Sequence, residues 1–209
     1  MPTTPEQRLD GWLSVTEVLD SFIPKGLLDW YLKTGKKEAK RLSTVAMKIG
    51  SRVDALIQED ISCTSRCTAG YKLSSKDPIE VKNCMEGWES FKRDYGLHVE
   101  AAQVEVKEES QKVIGHIDLI GWNRVIDVKC ASSIKPNYWI QTSKYSAMKY
   151  FSPLIPAILR LDKNLGTYQF VDAIQAKVNP AQCVKVFDGL LEAYRYYQPK
   201  AVKEEVVNE

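Results

Sequence analysis

Apolar and polar positions follow two different periods along this chain, and the change between them divides it. From Lys36 to Asp60 the apolar residues Leu42, Ala46, Ile49, Val53, Leu56 and Ile57 recur at spacings of three and four. That spacing predicts one long helix with a single apolar stripe. Ser14 and Thr16, followed by Glu17, predict the start of an earlier helix. Gly50 falls inside the stripe. A mid-helix glycine costs about 1 kcal/mol relative to alanine, so close packing or the close approach of a ligand is expected there. Residues 61–80 are polar with Gly and Pro and predict a loop, and a short helix follows over Val81–Tyr95, ended by Gly96.

From Leu97 the period changes to two. Leu97–Val106 alternates, and Lys112–Trp122 and Arg124–Cys130 are β-branched runs joined near Trp122–Asn123. These predict three sequential strands in an antiparallel meander. Pro136 opens a helix reaching about Tyr150, and Ala157–Asp162 and Thr167–Ile174 predict two further strands. Asn179 and Pro180 suit the N-cap and first position of a last helix, striped by Cys183, Phe187, Leu190, Leu191, Tyr194 and Tyr197. Helices, three strands, a helix, two strands and a helix make an α/β protein with a mixed central sheet and helices packed on it.

Composition changes this picture little. The chain has 209 residues, 44% hydrophobic and 27% charged, as expected of a globular protein. It has no apolar run of the roughly 20 residues that span a membrane and no secretory leader pattern at its start, so an intracellular setting with no membrane partner is expected. Five scattered cysteines, Cys63, Cys67, Cys84, Cys130 and Cys183, fit free thiols better than a disulfide framework or a zinc site.

Charge is distributed unevenly. The formal net charge is +2, yet residues 25–52 hold eight basic residues against Asp29 and Glu38, a local +6. A basic stretch of this kind attracts polyanions. Taken alone, the stretch fits a solvated helix face better; as a polyanion patch, Lys33, Lys36, Lys37, Lys40 and Arg41 would track a nucleic-acid backbone, with Trp30 and Tyr31 beside them to stack on unpaired bases.

The candidate chemistry lies in the predicted hairpin. In VIDVKC, Asp127 and Lys129 leave one face of a strand while Ile126, Val128 and Cys130 leave the other. Asp118 sits in the otherwise apolar run VIGHIDLIGW on the partner strand, and an acid among isoleucine and leucine is costly unless a cation or donors satisfy it. Two carboxylates on paired strands, with a lysine two residues past one of them, suit a hard divalent cation. Gln141 and Tyr145, four apart, share a face of the following helix.

Taken together, Gly115-His116-Ile117-Asp118, Ile126-Asp127-Val128-Lys129 and Gln141-x-x-x-Tyr145 resemble the PD-(D/E)XK nuclease superfamily, and the third motif resembles its RecB-like exonuclease branch most. The resemblance covers residues 97–150 and extends to Gly50–Gln58. It implies a restriction-endonuclease-like αβββαβ core with an N-terminal helical extension. One nuclease domain would span residues 1–209: helical over 1–95, sheet core over 96–200, a flexible tail over 201–209. It further implies that Asp118, Asp127 and the carbonyl of Val128 bind Mg2+ or Mn2+, and that Lys129, Gln141 and Tyr145 belong to the catalytic set. Asp54 stands where the family often places a metal-binding histidine. Some members add a first-strand acid, for which Glu100 and Glu105 are both available. The implied activity is DNA hydrolysis, as an exonuclease preferring single strands or free ends. The implied partners are DNA, single-stranded or at duplex ends, and either a second copy of the chain or a recombination protein. Cytoplasm or nucleoid and a phage or viral origin are all compatible. The alternative class is a nucleic-acid-binding or assembly module that keeps the fold without cleaving.

Overall fold

The computed structural model describes residues 11–63, 70–96, 98–148 and 154–197. Its elements are β1 (Leu13–Ser14), α1 (Val15–Asp20), α2 (Lys25–Thr34), α3 (Lys36–Cys63), α4 (Ile79–Tyr95), β2 (Ala101–Glu108), β3 (Val113–Gly121), β4 (Arg124–Cys130), α5 (Pro136–Met148), β5 (Ile155–Leu161), β6 (Tyr168–Asp172) and α6 (Pro180–Tyr197). The run from α4 to β5 is the expected αβββαβ order, and α1–α3 form the helical extension before it. No helix of the described residues is long and apolar enough to cross a membrane. Cys67, Leu97, Tyr150 and the tail over 201–209 lie outside the described residues.

The hairpin at the centre follows from its turn. Trp122 and Asn123 both have positive φ, 52° and 58°, as a two-residue turn matched to strand twist requires. The turn fixes the register Gly121↔Arg124, Ile120↔Val125, Leu119↔Ile126. β2 pairs antiparallel with β3, β4 pairs parallel with β5, and β5 pairs antiparallel with β6, so the sheet is mixed. β1, which the sequence pattern did not suggest, pairs parallel with the start of β3 through Leu13↔Val113 and Ser14↔Ile114. Ser14 then caps α1, its hydroxyl accepting from the Glu17 amide at 3.1 Å.

Helices cover both faces. α3 and α4 bury Ile49, Val53, Leu56, Ile57, Met85, Trp88 and Phe91 against Leu119, Ile126, Ala157 and Leu159. On the other face α1, α5 and α6 bury Val15, Val18, Tyr145, Met148, Phe187 and Leu191 against Val113, Ile117, Ile120 and Val125. Each buried side chain of this size contributes about 1.5–3 kcal/mol.

Several details depart from the pattern. Gly35, at φ 80°, ends α2, so the basic stretch lies on two helices instead of one. Leu42 and Ala46 are exposed, because only the second half of α3 reaches the sheet. Gly50 is not there for packing, since a Cβ at that position would meet nothing within 4 Å. α3 runs on to Cys63 and α4 starts at Ile79, which shortens the expected loop at both ends. Tyr197 is 78% exposed, so the stripe of α6 ends before it.

One buried cation ties three elements together. Lys144 of α5 is 2% exposed. Its Nζ contacts Glu108 of β2 at 2.8 Å and Asp188 of α6 at 3.0 Å, and donates to Gln111 Oε1 at 2.8 Å. Removing one partner of a wholly buried pair costs about 3–5 kcal/mol. Glu108 and Asp188 are 30% and 36% exposed, so water would relieve part of the loss. Lys144→Ala is therefore expected to lower the free energy of unfolding by about 2 kcal/mol in urea titration; an unchanged midpoint would show that the three contacts contribute nothing net.

Candidate functional site

The site arises where two strands part. β2 lines one edge of β3 from Val113 to Ile120, with a gap opposite Asp118. β1 shares the other edge with β4: β1 pairs at Val113–Ile114 and β4 at Leu119–Gly121. Between them the sheet is notched. The residues just beyond the last rung of the β3–β4 ladder are Asp118 and Asp127.

Each acid finds one partner there. The Val128 amide, released from the ladder, donates to Asp118 Oδ2 at 2.8 Å. Lys129 Nζ donates to Asp127 Oδ1 at 2.7 Å and lies 5.4 Å from the centre of the Tyr138 ring. Asp127 is 3% exposed, and its Oδ2 is buried with no hydrogen-bond partner among the described residues. Ile126 meanwhile lies in the α3–α4 cluster, with Val128 and Cys130 packed against it, which is the division of faces that the strand alternation requires.

The electrostatics follow from crowding and burial. Burial and the Asp127 charge push Asp118 up to about 7, against the pull of Lys129 and the Val128 amide; Asp54 adds a weaker push. Burial also raises Asp127, with Lys129 pulling down. For Lys129 burial is the largest influence and pulls its pKa down, yet Asp127 and Asp118 hold it above the ordinary lysine value. Lys129 therefore stays charged throughout the neutral range.

α5 closes one side. Gln141 Nε2 donates to the Tyr145 hydroxyl at 2.9 Å and to Thr16 Oγ1 of α1 at 3.2 Å. The Tyr145 ring lies over Gly115, where a Cβ would come within 2.3 Å of the ring. Only glycine fits there, so Gly115 and Tyr145 are required together. Burial raises Tyr145, and the Asp127 charge adds to it while the Gln141 hydrogen bond opposes it.

Asp54 reaches the group from α3. Burial raises its carboxyl, with the Gln58 carboxamide pulling it down, and Gln103 Nε2 of β2 donates to its Oδ1 at 3.0 Å. Glu105 instead pairs with Lys107 at 2.8 Å and His116 at 3.6 Å, and Glu100 lies 3.8 Å from His98. Lys33, Lys36, Lys37 and Lys40 are exposed on α2 and α3, while Arg41 is held by both Glu38 oxygens at 2.8 and 2.7 Å. Trp30 and Tyr31 are half-buried and meet edge-to-face at 5.1 Å.

Three nearby residues were not expected. Asp20, on the last turn of α1, lies within electrostatic reach of Lys129. Tyr138 precedes Gln141 by one helical turn, a spacing that marks it as sharing that face. No local sequence signal marks Gln103.

The donor set suits a hard divalent cation on one structural ground. A buried carboxylate oxygen without a partner is costly, and Asp127 Oδ2 sits beside a second carboxylate. Oxygen ligands in that number are what Mg2+ or Mn2+ takes from a protein. Among the described residues, no three His, Cys, Asp or Glu side chains gather as a cation site.

No protein-family model matches the chain, and no curated protein matches it. Among solved structures it is similar to an alkaline exonuclease, LHK-Exo, from Laribacter hongkongensis, at 12% identity and a TM-score of 0.41, over 89% of this chain and 90% of that one. At that TM-score the likeness carries no weight, and what the site can do rests on its own geometry.

The raised carboxyl of Asp118 has a consequence for stability. A group whose folded-state pKa lies above the unfolded value of 3.8 binds more protons when folded, so it lowers stability as pH rises between about 4 and 7. Asp118→Asn, which keeps an acceptor for the Val128 amide and carries no charge, is expected to melt above the parent at pH 8, with the gap closing towards pH 4. A gap that does not change with pH would show that Asp118 titrates normally.

Proposed function

We propose that this protein is a Mg2+- or Mn2+-dependent deoxyribonuclease of the PD-(D/E)XK type. The observation that carries the reading is Asp127: a buried carboxylate with one oxygen on Lys129, the other without a hydrogen-bond partner among the described residues, and Asp118 beside it. Such a group costs stability unless a cation joins it.

Asp118, Asp127 and the Val128 carbonyl would hold the cation, with Asp54 as a further carboxylate. When bound, such an ion polarises a phosphoryl oxygen and makes a water molecule more acidic. The chain's own groups do the rest. Lys129 is charged and therefore no general base; its ammonium neutralises charge building on the phosphoryl oxygens and holds the attacking water by hydrogen bonding. Asp127 fixes where that ammonium sits. Tyr145 and Gln141 brace the wall that faces the site.

The basic extension would bring DNA in. Lys33, Lys36, Lys37 and Lys40 contact phosphates, while Arg41 contributes less because Glu38 occupies it. Gly50, with open space at its Cβ, lies one turn before Asp54 and lets a backbone come close to α3. Action on single-stranded or free DNA ends, as an exonuclease, follows from the motif resemblance. A nucleic-acid-binding module without cleavage is the second reading, favoured by the lack of a gathered three-ligand group among the described residues.

Linear single- and double-stranded DNA incubated with Mg2+, Mn2+ or EDTA separates the two. Cleavage is expected with either cation and not with EDTA; binding without cleavage under all conditions selects the module. In the same assay Lys129→Ala is expected to keep its affinity for DNA and Mn2+ yet cleave on the order of 100-fold more slowly in single turnover, the usual loss for one preorganised charge. Parent-like cleavage by Lys129→Ala would remove Lys129 from the reaction.

A further inference from the structure

β2 and β3 keep one constant register from Ala101↔Ile120 to Glu108↔Val113, with one rung missing: Gln103, which falls opposite Asp118. Gln103 has φ 50°, left-handed backbone that a non-glycine residue rarely adopts within a strand and that persists only where the surroundings enforce it. Its side chain crosses to α3, where Nε2 donates to Asp54 Oδ1 at 3.0 Å. One residue therefore opposes Asp118 with its backbone and grips Asp54 with its side chain.

We propose that Gln103 is a positioning residue of the cation site: its left-handed backbone aims a carboxamide donor at Asp54 and holds the orientation of that carboxylate on the side of α3 that faces the acids. The inference rests on the cation reading above and adds a residue to it. An irregular rung on a strand that pairs on one edge would need no such donor, and it would not bring the distortion to the one position across from Asp118. Hydrogen bonds that orient a metal-binding carboxylate are worth about 10–100-fold in metal affinity or activity.

The test compares the parent with Gln103→Gly, Gln103→Asn, Asp54→Ala and the Gln103→Gly/Asp54→Ala double variant. Glycine accepts φ 50° freely, so Gln103→Gly is expected to unfold thermally at or above the parent temperature without metal. By calorimetric titration it is expected to bind Mn2+ about 10-fold more weakly. Gln103→Asn tolerates the same backbone and keeps a carboxamide one methylene short of Asp54, so it is expected to show the same loss. In the Asp54→Ala background, Gln103→Gly is expected to change Mn2+ affinity no further. Parent-like Mn2+ affinity in both Gln103 variants, or an equal loss with and without Asp54, overturns the inference while leaving the cation site standing. A parent that binds no Mn2+ overturns the cation reading, and this inference with it.

Discussion

Burial of the Asp118 and Asp127 carboxylates next to one another is the constraint to which the surrounding structure answers. The strands carrying them part where the acids begin. Had the β3–β4 ladder continued, the Val128 amide would be committed to the sheet; parted, it serves Asp118. Lys129 satisfies one oxygen of Asp127 and leaves the other. Further support lies outside it: apolar clusters on opposite faces of the sheet, the Tyr145 ring seated on Gly115, and the Lys144 hub that fixes β2, α5 and α6 to one another. A core of that size can carry an unfavourable pair, because each large buried side chain contributes about 1.5–3 kcal/mol and both clusters hold many of them.

Much of this was legible because it depends on short-range periodicity. Alternation in Lys112–Cys130, with two residues able to turn at Trp122–Asn123, implied the hairpin, and the hairpin placed Asp118 across from Asp127. Alternation also put Asp127 and Lys129 on the face away from Ile126. What was not legible depends on contacts distant in sequence. β1 is two residues long and exists only through its pairing with β3. Leu42 and Ala46 match the apolar period of α3, yet that half of the helix runs beyond the sheet, so periodicity alone overstated their burial. Glu100 and Glu105 were the first-strand acids that the family resemblance made available, and the pattern could not show that Glu105 is set against His116 and Lys107. Gln103 has a backbone conformation that its residue type does not announce.

The proposed function joins two features of opposite charge, the acids beside the β3–β4 ladder and the exposed lysines of α2 and α3. On the proposed reading the acids take a small divalent cation and the lysines of α2 and α3 take an extended anion. A phosphodiester substrate with a divalent ion satisfies both, which neither a free metal site nor a basic surface does alone.

The central claim is that Asp118 and Asp127 are held together for a cation. The most direct measurement is the thermal unfolding of the chain with and without Mn2+ across pH. A ligand of the folded state present at 100 times its Kd stabilises by about 2.7 kcal/mol, and it binds the ionised carboxylates only. With Asp118 raised to about 7, the account predicts a clear upward shift of Tm by Mn2+ at pH 8 that fades as pH falls through 7 and is gone at pH 5. No shift at any pH, or the same shift at pH 5 as at pH 8, would contradict it.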